Sequence, residues 1–130
     1  MKYCFPAVFV QEDAGYSVEF PDIENCFTCG ETLEEAMEMA EDALAMMLTD
    51  MEDRGQPIPK SSLPRQIDAP KDAIVSLVLA DTGEYRRRTS NIAVKKTLTI
   101  PQWLNTAAEK ANVNFSQTLQ DALTAKLGLG

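Results

Sequence analysis

Four carboxylates in the first part of the chain are the residues with the clearest capacity for chemistry: Asp13, Glu19, Asp22 and Glu24. Carboxylates that converge on two metal ions about 4 Å apart would support metal-assisted hydrolysis. The spacing does not force them together, because Asp13 falls in a predicted turn and Pro21 separates Glu19 from Asp22. The chain has no histidine to act as a general base, and no serine or cysteine has an obvious activating partner. We therefore predict that the chain is not an enzyme.

The three cysteines are the next candidates for a site, and they are Cys4, Cys26 and Cys29. An odd number of cysteines without a secretory leader favours free thiols. The spacing of Cys26 and Cys29 is that of half a zinc site, but there is no second pair and no histidine, so carboxylates would have to complete it. We predict that both cysteines pack in a strand, and that the chain holds no metal and no other cofactor.

A third candidate site lies near the C-terminus, where the sequence VKKTLTIP alternates apolar and polar side chains. A period of two predicts a strand with one apolar face and one polar, basic face. The apolar face carries Val94, Leu98 and Ile100, and the polar face carries Lys95, Thr97 and Thr99. Pro101 cannot continue the strand but suits the first turn of a helix.

Two helices are predicted behind this proline. Apolar residues at helical spacing indicate the first, from Leu104 to Ala111, and residues 112–113 break the pattern. Asn114 is a good N-cap for the second helix, and Gln117 lies where a capping box would place it. The second apolar stripe ends before a glycine and consists of Phe115, Leu119, Ala122, Leu123 and Leu127.

This strand-helix-helix unit has about 34 residues, too few to bury a core alone. Its single strand would also leave backbone groups unpaired on both sides. Both problems disappear if two copies dimerise through antiparallel strands, and a two-stranded ribbon fits the major groove of DNA. The unit resembles the ribbon-helix-helix repressors of the MetJ, Arc and CopG types. The alternative is an ordinary strand and helical hairpin within one larger core.

The resemblance implies specific roles for residues of the unit. In that family the outward residues of the strand read bases, which here are Lys95, Thr97 and Thr99. The N-terminus of the second helix holds a backbone phosphate. Here the amides that follow the Asn114 cap would do so, namely those of Phe115, Ser116 and Gln117.

Charge is distributed unevenly along the 130 residues, a length that suggests one domain or two small ones. Residues 1–60 hold 14 acids and 3 bases, whereas residues 61–130 hold 6 acids and 9 bases. Such asymmetry predicts two partners of opposite charge. For the acidic half, a solvated helix face that aids solubility is the alternative. No apolar run has membrane-spanning length and no leader is recognisable, so we expect a soluble, cytoplasmic protein without a membrane partner.

The first 80 residues predict the order β-β-β-α-β. The strands are residues 3–10, 16–20, 26–29 and 73–80, and the helix is residues 32–53. Pro6 reduces the first half of the first strand to a strand start or an edge. The last strand is an uninterrupted apolar run, typical of a central strand. Residues 81–93 show no periodicity and are predicted to be a basic hinge with few contacts.

Motifs in this half resemble the signature of HicB antitoxins. These are Gly-Tyr, Phe-Pro-Asp, Thr-x-Gly-Glu-Thr, Glu-Glu-Ala and Pro-x-Pro-x-Ser, found at residues 15–16, 20–22, 28–32, 34–36 and 57–61. The resemblance implies an α+β fold with a partial ribonuclease-H-like domain in residues 1–80 and a ribbon-helix-helix dimerisation domain in residues 94–130. It also implies a HicA-type partner, a small basic toxin that cleaves messenger RNA.

We therefore predict an antitoxin that neutralises such a toxin and represses its own operon by binding operator DNA as a homodimer. The sequence leaves open whether dimers pair into tetramers. It also does not identify the toxin-binding residues, for which the acidic face of the long helix and the exposed edge of the sheet are both candidates. The alternative function is a plain ribbon-helix-helix transcription factor whose N-terminal domain binds a ligand or oligomerises.

Overall fold

The computed structural model describes residues 1–90 and 92–129. Its strands are β1 (Lys2–Glu12), β2 (Gly15–Glu19), β3 (Phe27–Gly30) and β4 (Ile74–Asp81), and its helices are α1 (Leu33–Asp53), α2 (Thr82–Thr89), α3 (Gln102–Lys110) and α4 (Phe115–Leu127), with a short 3-10 turn at Pro64–Gln66. The chain divides into two compact units, Met1–Ile92 and Ala93–Gly130. Among the described residues, no helix is both long and apolar enough to cross a membrane.

The first unit is an antiparallel four-stranded sheet with the order β3-β2-β1-β4. Helix α1 contacts β2, β3 and β4. The core between sheet and helix includes Phe5, Phe9, Val18, Leu44 and Val78, which are all at most 2% exposed. The predicted order β-β-β-α-β is therefore the observed one. The ribonuclease-H-like part of the fold prediction stays a prediction.

Helix α1 begins and packs as its sequence indicates. The Thr32 hydroxyl accepts a hydrogen bond from the backbone N–H of Glu35 at 3.1 Å, which caps the first turn. The apolar stripe supplies residues buried against the sheet, among them Ala36 and Leu44. A Cβ built on Gly30 would lie 2.4 Å from the backbone nitrogen of Ala36, so β3 approaches the helix this closely only because residue 30 is glycine.

Strand β4 corrects one prediction, because it lies at an edge of the sheet and not in its centre. Since α1 covers only one face, alternate residues have different environments: Val78 and Ala80 are buried, whereas Leu77 and Leu79 are exposed. The apolar run therefore indicated an apolar outer face and not a strand buried on both sides. The Pro6 prediction fits the register, because β1 pairs only with β4 before Val8.

Helix α2 corrects the prediction that residues 81–93 lack regular structure. Asp81 caps the helix, because its Oδ1 accepts from the backbone N–H of Gly83 at 3.0 Å and of Glu84 at 3.3 Å. The helix packs on α1 and belongs to the first unit. Two residues of the predicted segments, Asn91 in the hinge and Gly130 at the end of the C-terminal domain, lie outside the described residues.

The second unit contains the two predicted helices. Helix α3 follows Pro101, and Asn112 makes the turn before α4 with a φ of 54°. Gly128 ends α4 in the left-handed conformation with a φ of 69°. In the single chain, residues 93–100 form neither helix nor strand.

Candidate functional site

The predicted base-reading residues lie in an exposed segment of the second unit. Lys95, Thr97 and Thr99 are all exposed. The apolar residues that alternate with them are exposed as well, with Val94 at 77% and Leu98 at 63%. Among the described residues, no strand pairs with this segment and none buries its apolar face. The assignment of these residues to base contacts stays a prediction.

The second predicted element, the N-terminus of α4, has the expected cap. The Asn114 side chain accepts a hydrogen bond from the backbone N–H of Gln117 at 3.0 Å. The Gln117 side chain does not return to the cap, because its Nε2 donates to Asp121 at 2.8 Å. With the Gln117 amide engaged, the first-turn amides of Phe115 and Ser116 are the ones that could hold a phosphate. The predicted phosphate site therefore has two free backbone N–H donors, and not the three that the sequence suggested.

The second unit has no buried residue between residues 93 and 129. Leu119 is half-buried, and the other large apolar side chains of the unit are exposed in the single chain. These exposed residues are Val94, Leu98, Ile100, Trp103, Leu104, Val113, Phe115, Leu123, Leu127 and Leu129. A monomeric unit rarely leaves so much apolar surface in water. An exposed apolar surface of this extent is typical of interaction sites.

The first unit contains an ionic cluster that fixes α2 on the end of α1. Glu52 accepts hydrogen bonds from the Tyr3 hydroxyl at 2.7 Å and from Arg86 Nη1 at 2.9 Å. Arg86 Nη2 also donates to Asp53 at 2.7 Å. Two residues later, Arg88 donates to Asp42 at 3.0 Å and lies over the Tyr85 ring at 5.5 Å from its centroid. The basic residues read as a hinge therefore hold α2 against α1.

The cluster shifts the acidity of its members. Burial acts to raise the pKa of Glu52, but the hydrogen bonds donated by Tyr3 and Arg86 outweigh it and leave the pKa below its ordinary value. The hydrogen bond from the Tyr3 hydroxyl to Glu52 raises the pKa of Tyr3, since it favours the protonated phenol. The hydrogen bonds with Asp53 and Glu52 raise the pKa of Arg86.

Helix α2 also creates a groove that the sequence analysis did not find. The groove has a volume of 440 Å³ and is bounded by α1, the end of β4 and α2. Its carboxylates are Glu38, Glu41, Asp42, Asp81 and Glu84. The pattern Asp81-Thr-Gly-Glu84 has the spacing of a capping box, and it could have revealed the helix that forms one wall.

The carboxylates considered for hydrolysis do not form a metal site among the described residues, which contain no group of three or more suitable ligands. Asp22 has a structural contact: its carboxylate accepts from the backbone N–H of Ser62 at 2.7 Å and from the Ser62 hydroxyl at 2.8 Å. These two hydrogen bonds connect the Phe-Pro-Asp motif to the proline-rich segment. The three cysteines are free thiols, and burial raises the pKa of Cys26 to about 11.

The fold and these surfaces can be compared with known proteins. The family model for HicB-like antitoxins of bacterial toxin–antitoxin systems matches residues 5–123. The chain belongs to this family.

Two further similarities extend over most of the chain. Antitoxin HicB 2 of Photorhabdus laumondii is 32% identical over 124 residues, which cover 93% of this chain and 88% of that protein. A chain of a toxin–antitoxin complex from Streptococcus pneumoniae is 31% identical, with a TM-score of 0.63 over 97% of this chain and 99% of that one. The HicB-like relationship therefore includes both units.

A third similarity is confined to part of the chain. A chain of the HicA3 and HicB3 toxin–antitoxin complex is 29% identical, with a TM-score of 0.52. It covers 61% of this chain and 99% of that chain. The resemblance to HicB antitoxins expected from the sequence motifs is confirmed, whereas the ribbon-helix-helix part of that expectation stays a prediction.

Proposed function

We propose that this HicB-like antitoxin binds and neutralises a HicA-like toxin that cleaves messenger RNA, and that it represses its own operon by binding DNA. The solved relatives include chains of toxin–antitoxin complexes, one of them with HicA3 and HicB3, which supports a toxin as the protein partner. Within this proposal the first unit binds the toxin and the second unit dimerises and binds operator DNA.

The charge of the first unit supports its assignment to the toxin. Residues 1–92 hold 18 acids and 8 bases, a net charge of -10. A toxin that binds RNA needs a positively charged surface to do so. An acidic antitoxin domain attracts such a surface and competes with the RNA for it.

The observation that carries the DNA-binding proposal is the absence of buried residues between residues 93 and 129. A second copy would cover the apolar sides of the strand segment, α3 and α4, and would give residues 94–100 a partner strand. The pairing would place two sets of Lys95, Thr97 and Thr99 on one polar face. The unit holds 4 bases and 2 acids, a net charge of +2, which suits a polyanion.

Operator binding by a triple alanine variant tests the proposal. Replacing Lys95, Thr97 and Thr99 with alanine should cost roughly 1–3 kcal/mol for each base that the variant can no longer read. Lys126→Ala is the control, since it removes one charge at the far end of α4 and should change affinity little. Wild-type affinity should fall steeply as salt is raised, because counterions are released from phosphates. Unchanged affinity of the triple variant for the operator would refute the ribbon assignment.

Co-purification with the toxin tests the other half of the proposal. The full chain and a HicA-like toxin should elute as one complex, and the measured mass should give its stoichiometry. Failure of the two proteins to associate at micromolar concentration would refute toxin binding while leaving the DNA proposal intact.

A further inference from the structure

The exposed edge of β4 is the feature of the first unit that its fold leaves unexplained. β4 is the last strand of the sheet, and within the described residues no strand pairs with the side that faces away from β1. Folded proteins usually protect such edges with charged residues, proline or a bulge. Between Ile74 and Ala80 the strand IVSLVLA contains neither a charge nor a proline. The strand therefore has the composition of an edge that pairs with another chain.

Apolar side chains on the outer face extend this edge. Leu77 is 48% exposed and Leu79 is 58% exposed. The register places Cys4 opposite Leu79 on the same face, and Cys4 is also exposed. In the middle of this face Pro6 and Val8 are buried, so the exposed apolar side chains at the β4 edge are separate from Phe27, which is exposed at the opposite edge.

The acidic groove lies beside the C-terminal end of this edge. Leu79 and Asp81 contribute to its lining together with α1 and α2. Five carboxylates line the groove, and among the described residues Arg88 is the one cation that lines it, already bonded to Asp42 at 3.0 Å. An occupant that brings positive charge is therefore favoured by the remaining carboxylates.

We infer that the toxin docks by adding an extended, positively charged segment to the β4 edge. Main-chain hydrogen bonds would continue the sheet, Leu77 and Leu79 would pack on apolar side chains, and lysine or arginine side chains would enter the groove. This inference rests on the proposed function, since it locates the toxin-binding surface. A second copy of the chain is the less suitable occupant, because pairing two first units would bring together two net charges of -10.

Substitution of Leu79 tests the apolar part of the surface. Full-length Leu79→Lys should bind a catalytically inactive HicA-like toxin at least about tenfold more weakly than the wild type, because it places a positive charge where a positive segment docks. Phe27→Lys is the matched control: Phe27 is 70% exposed and lies on the same face at the opposite edge of the sheet. The control should bind as the wild type does.

A charge reversal on α1 tests the groove without altering the strand. Glu38→Lys with Glu41→Lys changes two exposed positions of the helix and should weaken toxin binding about tenfold or more. Glu12→Lys with Asp13→Lys is the control, since it makes the same change of net charge at the turn between β1 and β2. Because the total charge is matched, a difference between the two variants measures the groove itself.

Hydrogen exchange distinguishes strand addition from contact by side chains alone. On addition of toxin, amides of β4 that face the open edge should gain protection, whereas amides of β3 should not. Equal weakening by groove and control variants, or toxin binding that none of them weakens, would overturn the inference and leave the proposed function intact. If the wild type binds no toxin, the proposed function fails and the inference fails with it. A Leu79→Lys chain that loses half its native mass would show that the edge holds a second copy, which also overturns the inference.

Discussion

The two units of this chain differ in what completes their cores. The first unit buries its large side chains between a sheet and a helix, with Phe5, Phe9 and Leu44 at 2% exposure or less. In the second unit no residue from 93 to 129 is buried, although it contains two helices. Local sequence thus suffices to define helices in both units, but only the first has enough chain to cover them.

The largest expected effect is loss of the first unit's core. Leu44→Ala should lower the free energy of unfolding by about 2–5 kcal/mol, since Leu44 is fully buried and its removal leaves a cavity. Urea denaturation measures this, and the loss should not depend on protein concentration. Leu123→Ala is the matched change in the second unit, where it should weaken dimerisation and act more strongly as the protein is diluted. A concentration-independent effect of Leu123→Ala would show that the second unit has its own core.

A smaller effect is expected from removing the helix cap in each unit. Thr32→Ala and Asn114→Ala each delete the side-chain oxygen that accepts a backbone N–H, at a cost of about 0.5–2 kcal/mol. In the first unit this should lower the urea midpoint alone. In the second it should also weaken operator binding, because the cap orders the amides of Phe115 and Ser116. Equal operator affinity for wild type and Asn114→Ala would show that phosphate binding does not depend on the cap.

The smallest effect is a pH dependence confined to the first unit. The folded pKa of Glu52 is lowered, so its contribution to stability is present above its unfolded pKa of about 4.3 and is lost as the pH falls through the lower folded pKa. Glu52→Gln should therefore flatten the decline in the free energy of unfolding of the first unit below about pH 4.3. Urea denaturation of the wild type and the variant, at on the order of five pH values between pH 3 and pH 7, would measure this difference. If the free energy of unfolding declines equally in wild type and variant, other carboxylates are responsible for the pH dependence.

How far the sequence predicted the molecule depended on the range of the determining contacts. Caps and apolar periods are local, so Thr32, Asn114 and Gly128 marked the ends of helices correctly. The edge position of β4 depends on how many strands and helices surround it, which an apolar run does not specify. Helix α2 was missed because Arg86 and Arg88 are stabilised by acids 33 to 46 residues earlier in the chain. The acidic groove was missed with it.

A measurement of native mass against concentration tests the central difference most directly. The full chain and a chain that ends at Ser90 would be compared by sedimentation equilibrium, with circular dichroism to confirm folding. The shortened chain keeps α2 and the ionic cluster around Arg86. We predict that it is a folded monomer at every concentration, while the full chain is a dimer or larger. A shortened chain that dimerises as tightly as the full chain, or a full chain that remains monomeric, would contradict this account.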